Sequence, residues 1–589
     1  MKDFFKMFLA ALLAMIVMPL LMGFIFMIFA MSMLSSGSKT PVIASESVLK
    51  LDFNNIMIEE RTADNPFENY MIPGFGSDRN TVGLNTIISA IKHAKEDNNI
   101  KGIYLDFSAV GSPFASLEEI RNQLLDFKES GKFIYCYSDG LTQKSYYLAT
   151  VADKIYLHPQ GLLDIRGLAS EVVFYKKLFD KLDIDMQIVR HGTYKSAVEP
   201  FMLDKMSEAN KEQIQVYLGS MWNHIVNNIS KSRSITVSEI NAVCDSLLMY
   251  RNNSLALSRG LVDSLIFKDQ FLGVVRSTLE LDSTKDINFV SLKDYKKVIS
   301  TSKTQKDKIA VIYAQGDIID GKGGNKSIGS STAEEIAKAR KDKNVKAIVF
   351  RVNSGGGSAL ASESIWREVE LAQQQKPVVV SMGDYAASGG YYIACAADYI
   401  VAQPTTITGS IGVFGVIPNF GKMFANKLGI TIDRVKTNSH ADAISTTRAM
   451  TDYERAVMQQ YVENTYSVFT QRVADGRNLS KSYVDSIGQG RVWSGVDALK
   501  LNLVDTLGGI DVAIKKAAQL AELSDYMLIE RPIMKDFFQE LTESLMNSKV
   551  ESKIEKSGLG QMHSYFRFME SALELDGIQA RMPYFIEIY

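Results

Sequence analysis

The chain has 589 residues, too many for one ordinary core, so two globular domains with additions are expected. Its 65 basic and 67 acidic residues nearly cancel, which implies no strongly basic face and argues against nucleic acid as a partner. The 3 cysteines (Cys136, Cys244, Cys395) cannot build a disulfide framework. The 6 histidines are scattered without metal-ligand spacing, so no metal or other cofactor is expected.

From Phe8 to Met33 no charged residue occurs, a run longer than the ~20 residues that cross a bilayer. Its length, and the poor cleavage site that Ala30-Met31-Ser32 would make, favour an uncleaved transmembrane anchor within residues 1–34 over a signal peptide. Lys2 and Lys6 precede the run, and its far flank, Ser35-Ser36-Gly37-Ser38, is uncharged. The expected topology is therefore single-pass in the cytoplasmic membrane, with the N-terminus in the cytoplasm and the body outside it.

Beyond the anchor, short apolar runs alternate with helical periodicity across residues 46–300, and again across 307–525, which predicts an α/β fold with mostly parallel strands. The two stretches superimpose. Lys101–Phe107 falls on Lys346–Val352, Tyr146-Tyr147 on Tyr391-Tyr392 and Pro159 on Pro404, all at one offset of 245 (346 − 101). This marks a tandem duplication, with the polar stretch Ser300–Asp307 as linker. Thr332 to Glu335 reads as a capping box opening a helix. Residues 526–589 have no partner in the repeat, and Phe537, Leu541 and Leu545 at helical spacing predict a helical extension.

The chemistry concentrates in Ala386-Ala387-Ser388-Gly389-Gly390, between an apolar β-branched run and Ala-rich sequence. Ser388 is expected where a buried strand hands over to a helix, with free N–H groups at the helix start able to hold an oxyanion. The alternative is a serine cap flanked by packing glycines. The first repeat has Gln143 at the equivalent position, so the fold does not require the serine. Asn353-Ser354-Gly355-Gly356-Gly357-Ser358 follows another buried run, where a glycine N–H can supply a second oxyanion donor. A serine needs a base, and the sequence offers two: His440 in the second repeat and Lys195 in the first. Lys195 serves only if burial keeps it neutral, since an ordinary lysine titrates near ~10.4.

Four stretches in this order, Tyr194–Phe201, Arg351–Ser358, Ala386–Tyr392 and Thr408–Val413, resemble the long, duplicated form of the signal peptide peptidase A (protease IV) family. The resemblance spans nearly the whole chain. It implies two Clp/crotonase-like domains, Ser388 as nucleophile and Lys195 as general base from the other repeat. It further implies Gly356 and Gly389 as the oxyanion hole and Ser410 orienting the lysine amine. Hydrophobic peptides, above all released signal peptides, would be the substrates, and a homotetramer the assembly. Gly355 departs from the proline common in the family, leaving that turn less rigid. Two competing readings are a catalytically silent peptide-binding scaffold and a crotonase-type acyl-CoA enzyme; the intact serine and lysine argue against the first, the extracytoplasmic body against the second.

Overall fold

Runs such as Ile100–Asp106 and Val345–Ser354 are buried almost without interruption, as strands covered on both faces by crossover helices must be. The computed structural model describes residues 41–54, 56–62, 80–299, 305–534 and 578–582, with isolated positions 13, 15, 17, 18 and 21. Apart from those positions the run Phe8–Met33 lies outside the described residues, as do Ser300–Thr304 of the linker and Phe537, Leu541 and Leu545. Among the described residues no helix is long and apolar enough to cross a membrane.

In the first repeat, Ser47–Asp52 (β1), Ile100–Asp106 (β2), Phe133–Leu141 (β3) and Lys154–Leu163 (β4) form a parallel sheet in the order β4-β3-β2-β1. Phe114–Lys128 (α1) follows β2 and Gln143–Ala149 (α2) follows β3. Beyond this sheet run the strand Asp185–His191 (β5) and the long helix Glu208–Arg233 (α3).

The second repeat opens with Lys308–Gln315 (β6), Ser330–Lys341 (α4), Val345–Ser354 (β7), Gly356–Ser358 (β8) and Ala359–Gln373 (α5). It continues with Val378–Ala387 (β9), Gly389–Ala394 (α6), Ile407–Gly409 (β10), Val413–Asn419 (β11), Asp452–Arg477 (α7) and Val492–Ser494 (β12). Met527–Arg531 (β13) and Ile578–Arg581 (β14) follow. The second sheet runs β12-β10-β9-β7-β6-β13, parallel except at β12.

The repeats share their internal bonding as well as their order. Tyr146 Oη donates to Leu261 O at 2.9 Å, and Tyr391 Oη to Leu503 O at 2.8 Å. Tyr147 donates to Glu118 as Tyr392 does to Glu363. Lys132 satisfies the carbonyls of Ala94 and Asp97, as Lys376 does those of Ala339 and Asp342.

Two expectations are corrected. Helix α4 starts at Ser330 with Gly329 at its N-cap, so Thr332 and Glu335 lie inside it and form no capping box. Glu335 instead bonds Lys338 on the helix surface. The C-terminal segment is not helical where it is described: Met527–Arg531 pairs with β6 as an edge strand, and Ile578–Arg581 is a strand between two others. Unmet N–H and C=O groups on the neighbouring strands draw these two segments into sheets, while the helical spacing at Phe537, Leu541 and Leu545 lies outside the described residues.

Three features among the described residues lock the repeats together. Strand β5 of the first runs antiparallel along all of β11 of the second, from Asp185 opposite Asn419 to His191 opposite Val413. Arg351, fully buried in β7, is met by Glu60 at 2.9 Å and Glu119 at 2.6 Å from the first repeat and donates to Ser381 Oγ at 2.8 Å. Asp384 of β9 accepts from the Ser116 backbone N–H at 2.9 Å and its hydroxyl at 2.7 Å, binding the nucleophile strand to α1. A guanidinium inside a sheet is tolerable only when its charge is met in this way.

Candidate active site

Ser388 sits between β9 and α6, at the strand-to-helix turn the sequence indicates. Its backbone is in a sparsely populated conformation, φ 54° and ψ −116°, and its side chain makes no cap bond, so the capping alternative fails. Such a residue costs on the order of 1–3 kcal/mol and is kept only where the surroundings over-determine it. Here the Ser388 N–H donates to Gly409 O at 2.8 Å and its carbonyl accepts from Tyr392 N at 2.8 Å.

Lys195 reaches this hydroxyl from the first repeat. It follows β5 by four residues, so the β5–β11 pairing delivers its loop to the second repeat. Its Nζ lies 2.8 Å from Ser388 Oγ, 3.1 Å from Ser410 Oγ and 3.2 Å from Ser410 O. The amine and the serine are both fully buried, and burial alone pushes the lysine well below its usual range near 10.5. A lysine in this setting is neutral far more readily than one on the surface, with a lone pair to offer. The lysine loop is itself tied down. Tyr194 N donates to Gln489 O at 2.9 Å, and Gln213 of α3 bonds Tyr194 O at 3.1 Å and Ser196 Oγ at 2.9 Å.

Gly356 has φ 101° and approaches the first turn of α6 so closely that a Cβ there would lie 2.7 Å from Gly389 N. The two glycines thus share one spot beside Ser388. The Gly356 N–H is held by Ser354 Oγ at 3.1 Å, while Gly389 is the first residue of α6, where N–H groups have no partner inside the helix. Ser410, with φ 50°, places both its oxygens on the lysine amine. His440 stands apart: half-exposed, stacked on Tyr453 at 4.8 Å and facing Glu454 at 3.5 Å.

Sequence reasoning missed Gly490. At φ 79°, a Cβ on it would lie 2.6–2.7 Å from the Cβ, Cα and N of Lys195, so the glycine makes the space the lysine occupies. Its only signal is the Gly488-Gln489-Gly490 spacing, which is weak alone. Gln213 carried no signal, because a buried glutamine on a long helix becomes visible only with its partners.

The sequence profile of peptidase family S49 matches residues 126–282 and 370–524, once in each repeat. The chain belongs to peptidase family S49. Its duplicated form is shared with Protease 4 of Salmonella typhi, 38% identical over 86% of this chain and 82% of that protein. Protease 4 of Haemophilus influenzae is 37% identical over 85% and 83%. The chloroplastic serine protease SPPA of Arabidopsis thaliana is 30% identical over 83% and 72%. As an S49 member the chain is a serine protease carried on two α/β domains.

Proposed function

We propose that the protein is a membrane-anchored serine endopeptidase with a Ser388/Lys195 dyad, degrading hydrophobic peptides, released signal peptides among them, outside the cytoplasmic membrane. The observation that carries this reading is the 2.8 Å contact between a buried lysine amine and a serine hydroxyl held in a strained turn. Neutral Lys195 takes the Ser388 proton as the hydroxyl attacks the peptide carbonyl, and returns it to the departing amine. The same amine then draws a proton from water, which opens the acyl-enzyme. The lysine needs no aspartate, having no tautomer to fix. Ser410 keeps the amine aimed. The N–H groups of Gly389 and Gly356 stabilise the developing oxyanion, the latter after release from Ser354.

The apolar run Phe8–Met33 supports the anchor, and the anchor supports substrates left in or at the membrane. Homotetrameric assembly belongs to the same reading. The test is cleavage of a hydrophobic signal-peptide fragment by Ser388→Ala and Lys195→Met: each is expected to be inactive, and full activity in either contradicts the dyad.

A further inference from the structure

Strand β14 is the chain's own segment Ile578–Arg581, and it lies between β8 and β11. On one side it runs antiparallel to β8, with Gly356 opposite Arg581, Gly357 opposite Ala580 and Ser358 opposite Gln579. On the other it runs antiparallel to β11, with Phe414 opposite Gln579 and Gly415 opposite Ile578. Both neighbours belong to the site, since β8 begins at Gly356 and β11 follows Ser410 directly through Gly412. An extended peptide that fills a gap between two strands gains main-chain bonds from both, with pockets for alternate side chains.

Ile578 and Ala580 join the apolar core of the second repeat and Met582 is buried as well; of the two residues between them Gln579 is also buried, and Arg581 reaches Asp317 at 2.7 Å. Met582 packs with Ala387, the residue before the serine, with Ile407 and Val492, and with Ile214, Tyr217 and Met221 of the first repeat. The Ala580 carbonyl faces the same glycine turn, since a Cβ on Gly389 would lie 2.9 Å from it. With β14 in place Ser388 and Lys195 have no exposure to solvent.

We propose that Ile578–Met582 is an internal competitor, seated in the substrate groove with Met582 in the apolar pocket beside Ser388, which an incoming peptide must displace. This deepens the proteolytic reading and rests on it. The occupant defines what displaces it: an extended peptide with apolar residues at alternate positions and an unbranched apolar side chain at the seated one. Pro583 comes next in sequence. Its nitrogen is a ring member without N–H and restricts the residue before it, making the bond after Met582 a poor one to cut. The segment therefore stays as occupant and is not released as product.

The test uses the full chain and two readouts. First, a fluorescent Ile-Gln-Ala-Arg-Met peptide is titrated against Ser388→Ala protein with and without Met582→Asp. The chain carrying Met582→Asp is expected to bind at least about tenfold more tightly, its groove being free; equal or weaker binding overturns the proposal. Because this needs no catalysis, it stands or falls separately from the protease reading. Second, with Ser388 present, Met582→Asp is expected to lower KM for an apolar peptide at least about fivefold, and an unchanged or higher KM overturns the proposal. Should Met582→Asp unfold the chain, Arg581→Glu, which sets a second carboxylate against exposed Asp317, is read in the same two ways.

Discussion

Lys195 Nζ lies 2.8 Å from Ser388 Oγ although 193 residues separate them, the amine coming from one repeat and the hydroxyl from the other. Ser410 holds that amine through its hydroxyl and its carbonyl together. Ser410→Ala removes one of the two bonds and leaves the other. A net loss of about 1 kcal/mol in aim corresponds to a fall in kcat of roughly five- to tenfold with KM little changed. Steady-state kinetics on an apolar peptide checks it, and a change confined to KM contradicts it.

The depressed lysine sets two pH dependences. Activity needs the neutral amine, so kcat/KM is expected to rise with pH through the lowered pKa and reach its plateau below 10.5. For stability, the unfolded chain binds a proton that the folded chain does not between the lowered pKa and 10.5, so stability rises with pH across that window. Lys195→Met removes the burden. Its inactive protein is expected to be more stable at neutral pH by on the order of 1 kcal/mol, with the gain shrinking as pH approaches 10.5. Urea unfolding at several pH values measures this.

Gly490 is the floor of the lysine site. Gly490→Ala forces a Cβ against the Lys195 backbone at a φ of 79°. Displacing a reacting group by about 1 Å costs roughly 10²-fold in rate, and kcat is expected to fall by about that factor. The fold should survive, because the strain falls on one loop. Unaltered kcat would show that the lysine loop has room to spare.

Arg351 fastens the second repeat to Glu60 and Glu119 of the first. Arg351→Met leaves both carboxylates buried without their partner, a loss of about 3–5 kcal/mol. Unfolding in urea should show a lower midpoint for the whole chain. A change below about 1 kcal/mol would mean that the repeats hold together without this cluster.

The βα alternation of each repeat, the strand-to-helix turn at Ser388 and the duplication were legible because they rest on local periodicity and on one constant offset. The meeting of Lys195 with Ser388 was not legible from spacing, since it depends on β5 pairing with β11 across the repeats. The sequence alone left Lys195 and His440 as alternative bases, and the resemblance chose between them. Arg351 looked like any basic residue at a strand end until Glu60 and Glu119 stood beside it. Residues 578–581 are too short and mixed in character to announce a strand, and only the vacancy between β8 and β11 makes them one. Contacts of this kind are tertiary, and a sequence encodes them without displaying them.

The dyad is tested most directly by following the labelling of Ser388 with a fluorophosphonate, by mass spectrometry, across pH in the wild type and in Lys195→Met. The expected result is labelling at Ser388 that rises with pH through the depressed lysine titration in the wild type, and slows by roughly 10³-fold or more in the variant. Equal labelling of Ser388 in the two proteins, with the same pH profile, would contradict it.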